Sequence, residues 1–92
     1  MPDAPLPPLI LLRAIDPTRN VARDYSIWIT PNLFGQWIVE TRWGRIGTSG
    51  KSQQRSFADP LAARAYVRSV LRTRRRARAR IGVDYRWIPV AG

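Results

Sequence analysis

The sequence predicts an α+β fold, a twisted antiparallel sheet of four to five strands with one long helix in the C-terminal half packed on it. Between Leu9 and Phe57, short stretches of alternating apolar and polar residues are separated by clusters of Gly, Pro, Asn and Asp, which indicates strands and hairpin turns. Beyond Pro60, apolar residues recur at spacings of three and four, as in an amphipathic helix. With 92 residues, the chain can bury a single modest core.

The first strand is predicted at Leu9 to Ile15, followed by a turn at Asp16 to Asn20. Prolines crowd residues 1–8 and cannot enter a regular ladder, so this segment is expected to form a flexible arm before a single domain at 9–92. The second strand, Asp24 to Thr30, alternates clearly. It should place Tyr25, Ile27 and Ile29 on one face of the sheet and Ser26, Trp28 and Thr30 on the other.

The third strand, Gln36 to Trp43, should pair with the second one through the loop Pro31 to Gly35. Glycines at positions 44, 47 and 50 then supply a tight turn before a fourth strand, Lys51 to Phe57. A last edge strand is expected within Asp84 to Pro89. The third strand should place four side chains on one face: Trp37, Val39, Thr41 and Trp43.

Asp59 is a suitable N-cap and Pro60 a suitable first residue for a helix that we expect to run to about Arg80. Its apolar stripe, predicted to pack on the sheet, consists of Ala63, Tyr66, Val67, Val70, Leu71 and Ala77. The segment Arg72 to Arg80 holds six arginines in nine residues, which repel one another unless anions are near.

The charge balance favours a polyanionic partner. Sixteen Lys and Arg against six Asp and Glu give a formal charge of +10 and a pI near 11.7, which is above the roughly pI 9 at which a basic domain suggests nucleic-acid binding. Codon bias can explain why fifteen of the sixteen cations are Arg, but it does not explain the scarcity of acidic residues.

The composition argues against an enzyme. The chain has no Cys and no His, which excludes thiol catalysis, disulfides, Cys/His zinc sites and imidazole chemistry. The six carboxylates show no spacing that would pair them, so no cofactor, metal or small-molecule substrate is expected. The apolar run Leu9 to Leu12 is too short to span a membrane and lacks the basic segment of a signal peptide. A cytoplasmic or nucleoid-associated location is the resulting expectation.

The stretch WGRIGTSGKS, residues 43–52, ends like a phosphate-binding P-loop. That motif requires a glycine five positions before Gly50, and the sequence has Arg45 there. The break at Asp59-Pro60 also comes too soon for the helix that must follow the lysine. We therefore interpret the stretch as a hairpin connection.

Two interpretations of Trp43 and Arg45 remain open from the residues alone. A flat ring beside a guanidinium suits an exposed base or sugar and its phosphate. Alternatively, Trp43 packs over the turn glycines while Arg45 pairs with Glu40 or Asp84.

The order of strand, Trp43-Gly44-Arg45-Ile46-Gly47, Gly50, strand and Asp-Pro-started helix resembles the WGR domain, a module of DNA-dependent poly(ADP-ribose) polymerases and of small bacterial proteins. The likeness runs from about Leu9 to Trp87. Asn20 to Tyr25 is similar to the family's Asn-x-x-Lys-Phe-Tyr entry to a strand, with Arg23 in the basic position, and Arg72-Thr73 resembles a Lys-Thr pair late in the family helix.

The resemblance implies a compact module that grips DNA near a strand break, with Trp43 and Arg45 at the contact. We therefore expect a non-enzymatic module that binds DNA, preferentially at ends, nicks or gaps, with RNA as a further partner that charge allows. A protein adaptor that docks an acidic partner through the same residues is the alternative. The candidate nucleic-acid-binding residues are Arg23, Trp43, Gly44, Arg45, Lys51, Arg55, Arg68, Arg72, Arg75, Arg76 and Arg80.

Overall fold

The structure, a computed structural model, describes residues 8–89, except for the side chain of Arg78. Most of the expected proline-rich arm, residues 1–7, lies outside the described residues. The elements in chain order are β1 (Leu9–Asp16), a 3-10 turn (Pro17–Arg19), β2 (Val21–Pro31), β3 (Trp37–Arg45), β4 (Lys51–Phe57), α1 (Pro60–Arg74), α2 (Ala77–Ile81) and β5 (Arg86–Ile88).

The five strands form one sheet in the order β4-β3-β2-β1-β5, and every neighbouring pair is antiparallel. This confirms the predicted α+β class and the predicted hairpins. β2 begins at Val21, three residues earlier than expected, because Asn20 adopts a left-handed conformation with φ 55° that ends the turn at once. Val21 then pairs directly with Asp16 of β1.

The turn between β1 and β2 is held by Asp16. Its carboxylate accepts hydrogen bonds from the backbone N–H and the hydroxyl of Thr18, at 3.1 and 2.7 Å. The hydroxyl hydrogen bond is the main reason why the pKa of Asp16 lies below its usual value. Arg19 adds an exposed ion pair at 3.5 Å.

The core lies between one face of the sheet and α1, and we call that face the covered face and the opposite one the open face. The buried cluster contains Ile10, Leu12, Tyr25, Ile27 and Val39 from the sheet, with Ala63 and Val67 from α1. Tyr66, Val70 and Leu71 pack against it. The alternation of β2 and β3 and the helical stripe are therefore confirmed.

The helix is shorter than expected. Asp59 caps it by accepting a hydrogen bond from the Ala62 N–H at 2.9 Å, as predicted, but α1 ends at Arg74 and a two-residue turn separates it from α2. The hydrogen-bond pattern changes there, since the Arg76 N–H donates to the Thr73 carbonyl, three residues earlier, at 3.2 Å, and the regular helix ends in a tight turn. Ala77, in α2, is nevertheless buried, as expected for a member of the apolar stripe.

Within residues 8–89, no helix is long and apolar enough to cross a membrane.

Candidate nucleic-acid interface

The turn between β3 and β4 is built on the close approach of two glycines. A side chain on Gly44 would lie 2.8 Å from the Cα atom of Gly50, and one on Gly50 would collide with the Trp43 carbonyl. Thr48 closes the turn by donating from its N–H and its hydroxyl to the Arg45 carbonyl, at 3.0 and 2.7 Å. Lys51 then begins β4, so the stretch is a hairpin connection and no P-loop.

Trp43 lies on the covered face and is half-buried. Its ring stacks on Tyr25, with ring centroids 5.9 Å apart and an interplanar angle of 18°. Trp43 therefore packs against the core on one side, through Tyr25, and its remaining surface lines an opening at the edge of the helix.

Arg45 is held by Asn20. Its guanidinium donates to the Asn20 carbonyl at 3.3 Å and to the side-chain Oδ1 at 3.1 Å. In the second interpretation Glu40 or Asp84 would pair with Arg45, but the partner that the structure shows is Asn20. Because Arg45 remains exposed, Asn20 orients the guanidinium without burying it.

The strand register places five side chains in one row across the covered face: Lys51, Trp43, Tyr25, Leu12 and Trp87. We call this set the transverse row. Lys51 and Trp87 occupy its two ends, on β4 and β5, because these are the edge strands of the sheet. The row thus has a tryptophan on either side of a buried centre.

Arg74, at the end of α1, lies over the middle of the transverse row. Its guanidinium carbon is 4.7 Å from the centre of the Tyr25 ring, a cation–π distance. Burial raises the pKa of the Tyr25 phenol, while the Arg74 charge and a hydrogen bond with Thr41 oppose that rise. The Nε atom of Arg74 is buried without a hydrogen-bond partner.

Arg74 is not among the site residues that the sequence predicts, because there it belongs only to the arginine run Arg72 to Arg80. The signal was present, since position 74 follows Ala63, Val67 and Leu71 at spacings of four and three on the buried stripe. An arginine there extends its aliphatic part over the core and presents its charge at the margin.

Two depressions flank Arg74 on this side of the molecule. The first, which we call the Trp43 opening, has a volume of about 320 Å³ and is lined by Tyr25, Trp43, Gln53 and Arg74. The second, the Trp87 groove, consists of two adjoining parts of about 170 and 290 Å³. Its lining residues are Leu12, Arg68, Leu71, Arg72, Arg74, Arg75, Tyr85 and Trp87.

The structure divides the predicted site residues into groups. Lys51 is the cross-strand neighbour of Trp43, and Arg23 is the cross-strand neighbour of Arg45. These four residues therefore lie together at the end of the sheet that carries the β3–β4 turn. The helix arginines Arg68, Arg72 and Arg75 instead line the Trp87 groove.

Three further predicted arginines lie apart from both groups. Arg55 lies over the Tyr66 ring, 5.2 Å from its centre, four residues along β4 from Lys51. Arg76 and Arg80 are exposed in the turn after α1 and in α2.

Gly44 lines a depression on the open face, of about 180 Å³. Asp24 and Arg42 both line it, so their charges offset each other and the depression is less suited to a phosphate than one lined by arginine without a carboxylate.

The fold and this surface define a small α+β module with an aromatic and basic margin beside its one long helix. A family model described as the WGR domain matches residues 9–80, and the chain belongs to that family. An uncharacterized protein, y4dW of Sinorhizobium fredii (strain NBRC 101917 / NGR234), is 37% identical over 67 residues. These residues are 73% of this chain but only 33% of that relative.

The WGR domain is known as a nucleic-acid-binding module in proteins similar to the poly(ADP-ribose) polymerases. The matched residues contain the Trp43 opening, whereas Tyr85 and Trp87 lie beyond them.

Proposed function

We propose that this chain is a non-enzymatic module that binds DNA, preferentially at ends, nicks or gaps. The observation that supports it best is the Trp43 opening, where the half-buried Trp43, stacked on the buried Tyr25, lies beside Arg74 and is the cross-strand neighbour of Lys51. An aromatic surface binds the flat face of an unpaired base, and neighbouring cations bind its phosphate oxygens. Bases are unpaired or loosely held at breaks in a duplex, and DNA binding would place the protein at the nucleoid.

The geometry restricts how a nucleotide enters. Tyr25 covers one side of Trp43, so a base or sugar must approach through the opening beside Gln53. Arg45 and Arg23 lie next to each other at the same end of the sheet and would contact the backbone phosphates that flank the bound nucleotide. The hydrogen bonds from Arg45 to Asn20 preorganise one of these contacts.

The helix arginines would add attraction that does not depend on sequence. Arg72, Arg75 and Arg76 are exposed at the C-terminal end of α1 and in the turn after it. When these arginines neutralise DNA phosphates, the DNA releases bound counterions. Affinity should therefore fall steeply with salt, while the break preference should persist.

The experiment is a fluorescence-anisotropy titration against a closed hairpin duplex, a blunt 5′-phosphorylated duplex, a nicked duplex and a single-stranded RNA, at low and physiological salt. We expect tighter binding to the broken duplexes at both salt concentrations. Trp43→Ala should remove this preference, and Trp28→Ala is the matched control, because Trp28 lies on the open face. Trp43→Phe, which keeps the ring packing, tests the site if the alanine variant has a lowered melting temperature.

A second candidate function, docking of a protein partner, is favoured by the β2–β3 loop, at the end of the sheet opposite the β3–β4 turn. Leu33 and Phe34 are 99% and 87% exposed in the β2–β3 loop. Asn32 keeps the loop ordered by accepting hydrogen bonds from the N–H groups of Phe34 and Gln36, both at 2.9 Å. If the protein binds all four nucleic acids equally at low salt and none at physiological salt, break recognition is contradicted. That result would favour docking of a protein partner, including an acidic one.

A further inference from the structure

We propose that the Trp87 groove is a second nucleotide-binding site, which takes unpaired nucleotides adjoining a DNA end. The preferred substrate would then be an end with a single-stranded overhang, or a gap, rather than a blunt end. This inference rests on the proposed function, because the Trp43 opening must hold the break itself.

The first argument is the exposure of Trp87. Its register with Leu12 places it on the covered face, where Trp37 and Trp43 pack against the core, yet it is 51% exposed. The cause is its position on β5, a three-residue edge strand at the margin of α1. A large aromatic ring at the margin of a groove is available for stacking on a base.

The second argument is charge. Four arginines line the groove, of which Arg72 and Arg75 are exposed, while Leu12, Leu71 and Tyr85 supply its apolar part. No Asp or Glu is among the described residues that line it. Arginine at this density beside an aromatic ring is complementary to a nucleotide, whose base is flat and apolar and whose phosphate is anionic.

The third argument is continuity with the first site. Arg74 lines both the Trp43 opening and the Trp87 groove, so one guanidinium borders both depressions. Trp43 and Trp87 are three strand spacings apart in the transverse row, which corresponds to about 14 Å at about 4.8 Å per strand. That span equals about four steps of a stacked strand at about 3.4 Å each.

Stacking on Trp87 favours a single strand over an intact duplex at the second site. Bases in a duplex are paired and stacked, so a protein ring can stack on them only where the strand is open. The centre of the transverse row is buried with Arg74 over it, so a strand that leaves the end at Trp43 must pass around Arg74 to reach Trp87 and needs about four nucleotides or more. The overhang length at which affinity rises reports the length of that path.

The test uses one duplex of constant sequence, blunt or with overhangs of two, four or six nucleotides on either strand, titrated by fluorescence anisotropy at physiological salt. The full chain should bind the longer overhangs about tenfold tighter than the blunt duplex, the gain expected from one stacked base. Trp87→Ala should lower that affinity to the blunt value and leave blunt binding unchanged. Trp87→Phe should retain most of the gain.

Matched variants separate the site from general effects. Trp28 is 42% exposed on the open face, so Trp28→Ala should retain the overhang gain. Arg75→Ala should reduce it, whereas Arg42→Ala, which removes an exposed arginine from the open face, should not. Arg75 lies outside the sheet, so its variant tests the groove even if Trp87→Ala destabilises β5.

The outcomes distinguish this inference from the function on which it rests. If the unsubstituted chain prefers ends but gains nothing from overhangs, or if Trp87→Ala leaves the gain intact, the second site is overturned and break binding stands. A chain that binds no duplex end at all would overturn the proposed function as well. Equal losses on blunt and overhang duplexes in Trp87→Ala would also contradict a site specific for unpaired nucleotides.

Discussion

The two faces of the sheet carry similar residues, but they differ in how the helix covers those residues and in which charges lie beside them. Each face has a tryptophan in a central strand, Trp43 on the covered face and Trp28 on the open face. Trp43 packs on Tyr25 beneath α1, whereas Trp28 is the cross-strand neighbour of Glu40 and is 42% exposed. Packing by the helix, rather than residue type, separates the two tryptophans.

Charge follows the same division. The carboxylates of the two central strands, Asp24 and Glu40, are on the open face together with Arg42, so cations there lie near anions. The covered face presents Arg74 and Lys51 at the margin of the aromatic pair. We therefore expect a polyanion to bind at the covered face rather than at the open face.

The largest expected effect is on stability. Ile27 is completely buried on the covered face, so Ile27→Ala should lower the free energy of unfolding by about 4 kcal/mol through lost burial and a residual cavity. Ile15 is 54% exposed, and Ile15→Ala should cost about 1 kcal/mol or less. Urea denaturation followed by tryptophan fluorescence measures both, and equal losses would refute the assignment of the faces.

A second prediction concerns the turn that fixes Trp43. Gly50 has φ 65° and no room for a side chain, so Gly50→Ala should cost about 3 kcal/mol through strain and collision with the Trp43 carbonyl. Gly47 has φ 89° with open space around it, and Gly47→Ala should cost only about 1 kcal/mol of backbone strain. Thermal melts compare the pair, and a larger loss at Gly47 would contradict the close approach of the two glycines.

A smaller effect is expected for the salt dependence of DNA binding. Arg74→Ala removes a cation from the covered face, and the slope of log affinity against log salt should become shallower by about one unit. Arg42→Ala is the control, and its slope should match that of the unsubstituted chain because Arg42 lies on the other face. Equal changes in both variants would mean that the two faces attract DNA alike.

The smallest effect is the pH response of the turn between β1 and β2. The hydrogen bond from Thr18 lowers the pKa of Asp16 from 3.8, so the folded state favours the carboxylate. Its contribution is fully present above pH 3.8 and is lost as pH falls through the lowered value. Asp16→Asn should therefore flatten the acid side of the stability profile slightly, and an unchanged profile in thermal melts from pH 2 to 6 would contradict this.

Elements with a strong local pattern were predictable. The alternation of Tyr25 to Thr30 and the Asp59-Pro60 start of α1 depend on residues close in sequence, and both appear as expected. The end of α1 was not predicted correctly. There the apolar stripe continues to Ala77, and neither Gly nor Pro at positions 75 and 76 marks the break in the sequence.

The site was predictable only in part. The sequence singled out Trp43, Arg45 and Lys51, which lie within nine residues of one another. Trp87 joins Trp43 only through pairing across β1, β2 and β5, and Arg74 joins it only because α1 packs on the sheet, and no short-range pattern reports either. The orientation of the Arg45 guanidinium likewise depends on a hydrogen bond to Asn20, twenty-five residues earlier.

By itself, the sequence determined the α+β class, the apolar stripes, the hairpin turn and the basic charge, because each follows from neighbouring residues and composition. Only the tertiary structure decided which side of each aromatic ring is covered and which arginines stand together. Strand order and register bring distant segments into one row, and the position of α1 determines which part of that row remains open to a ligand.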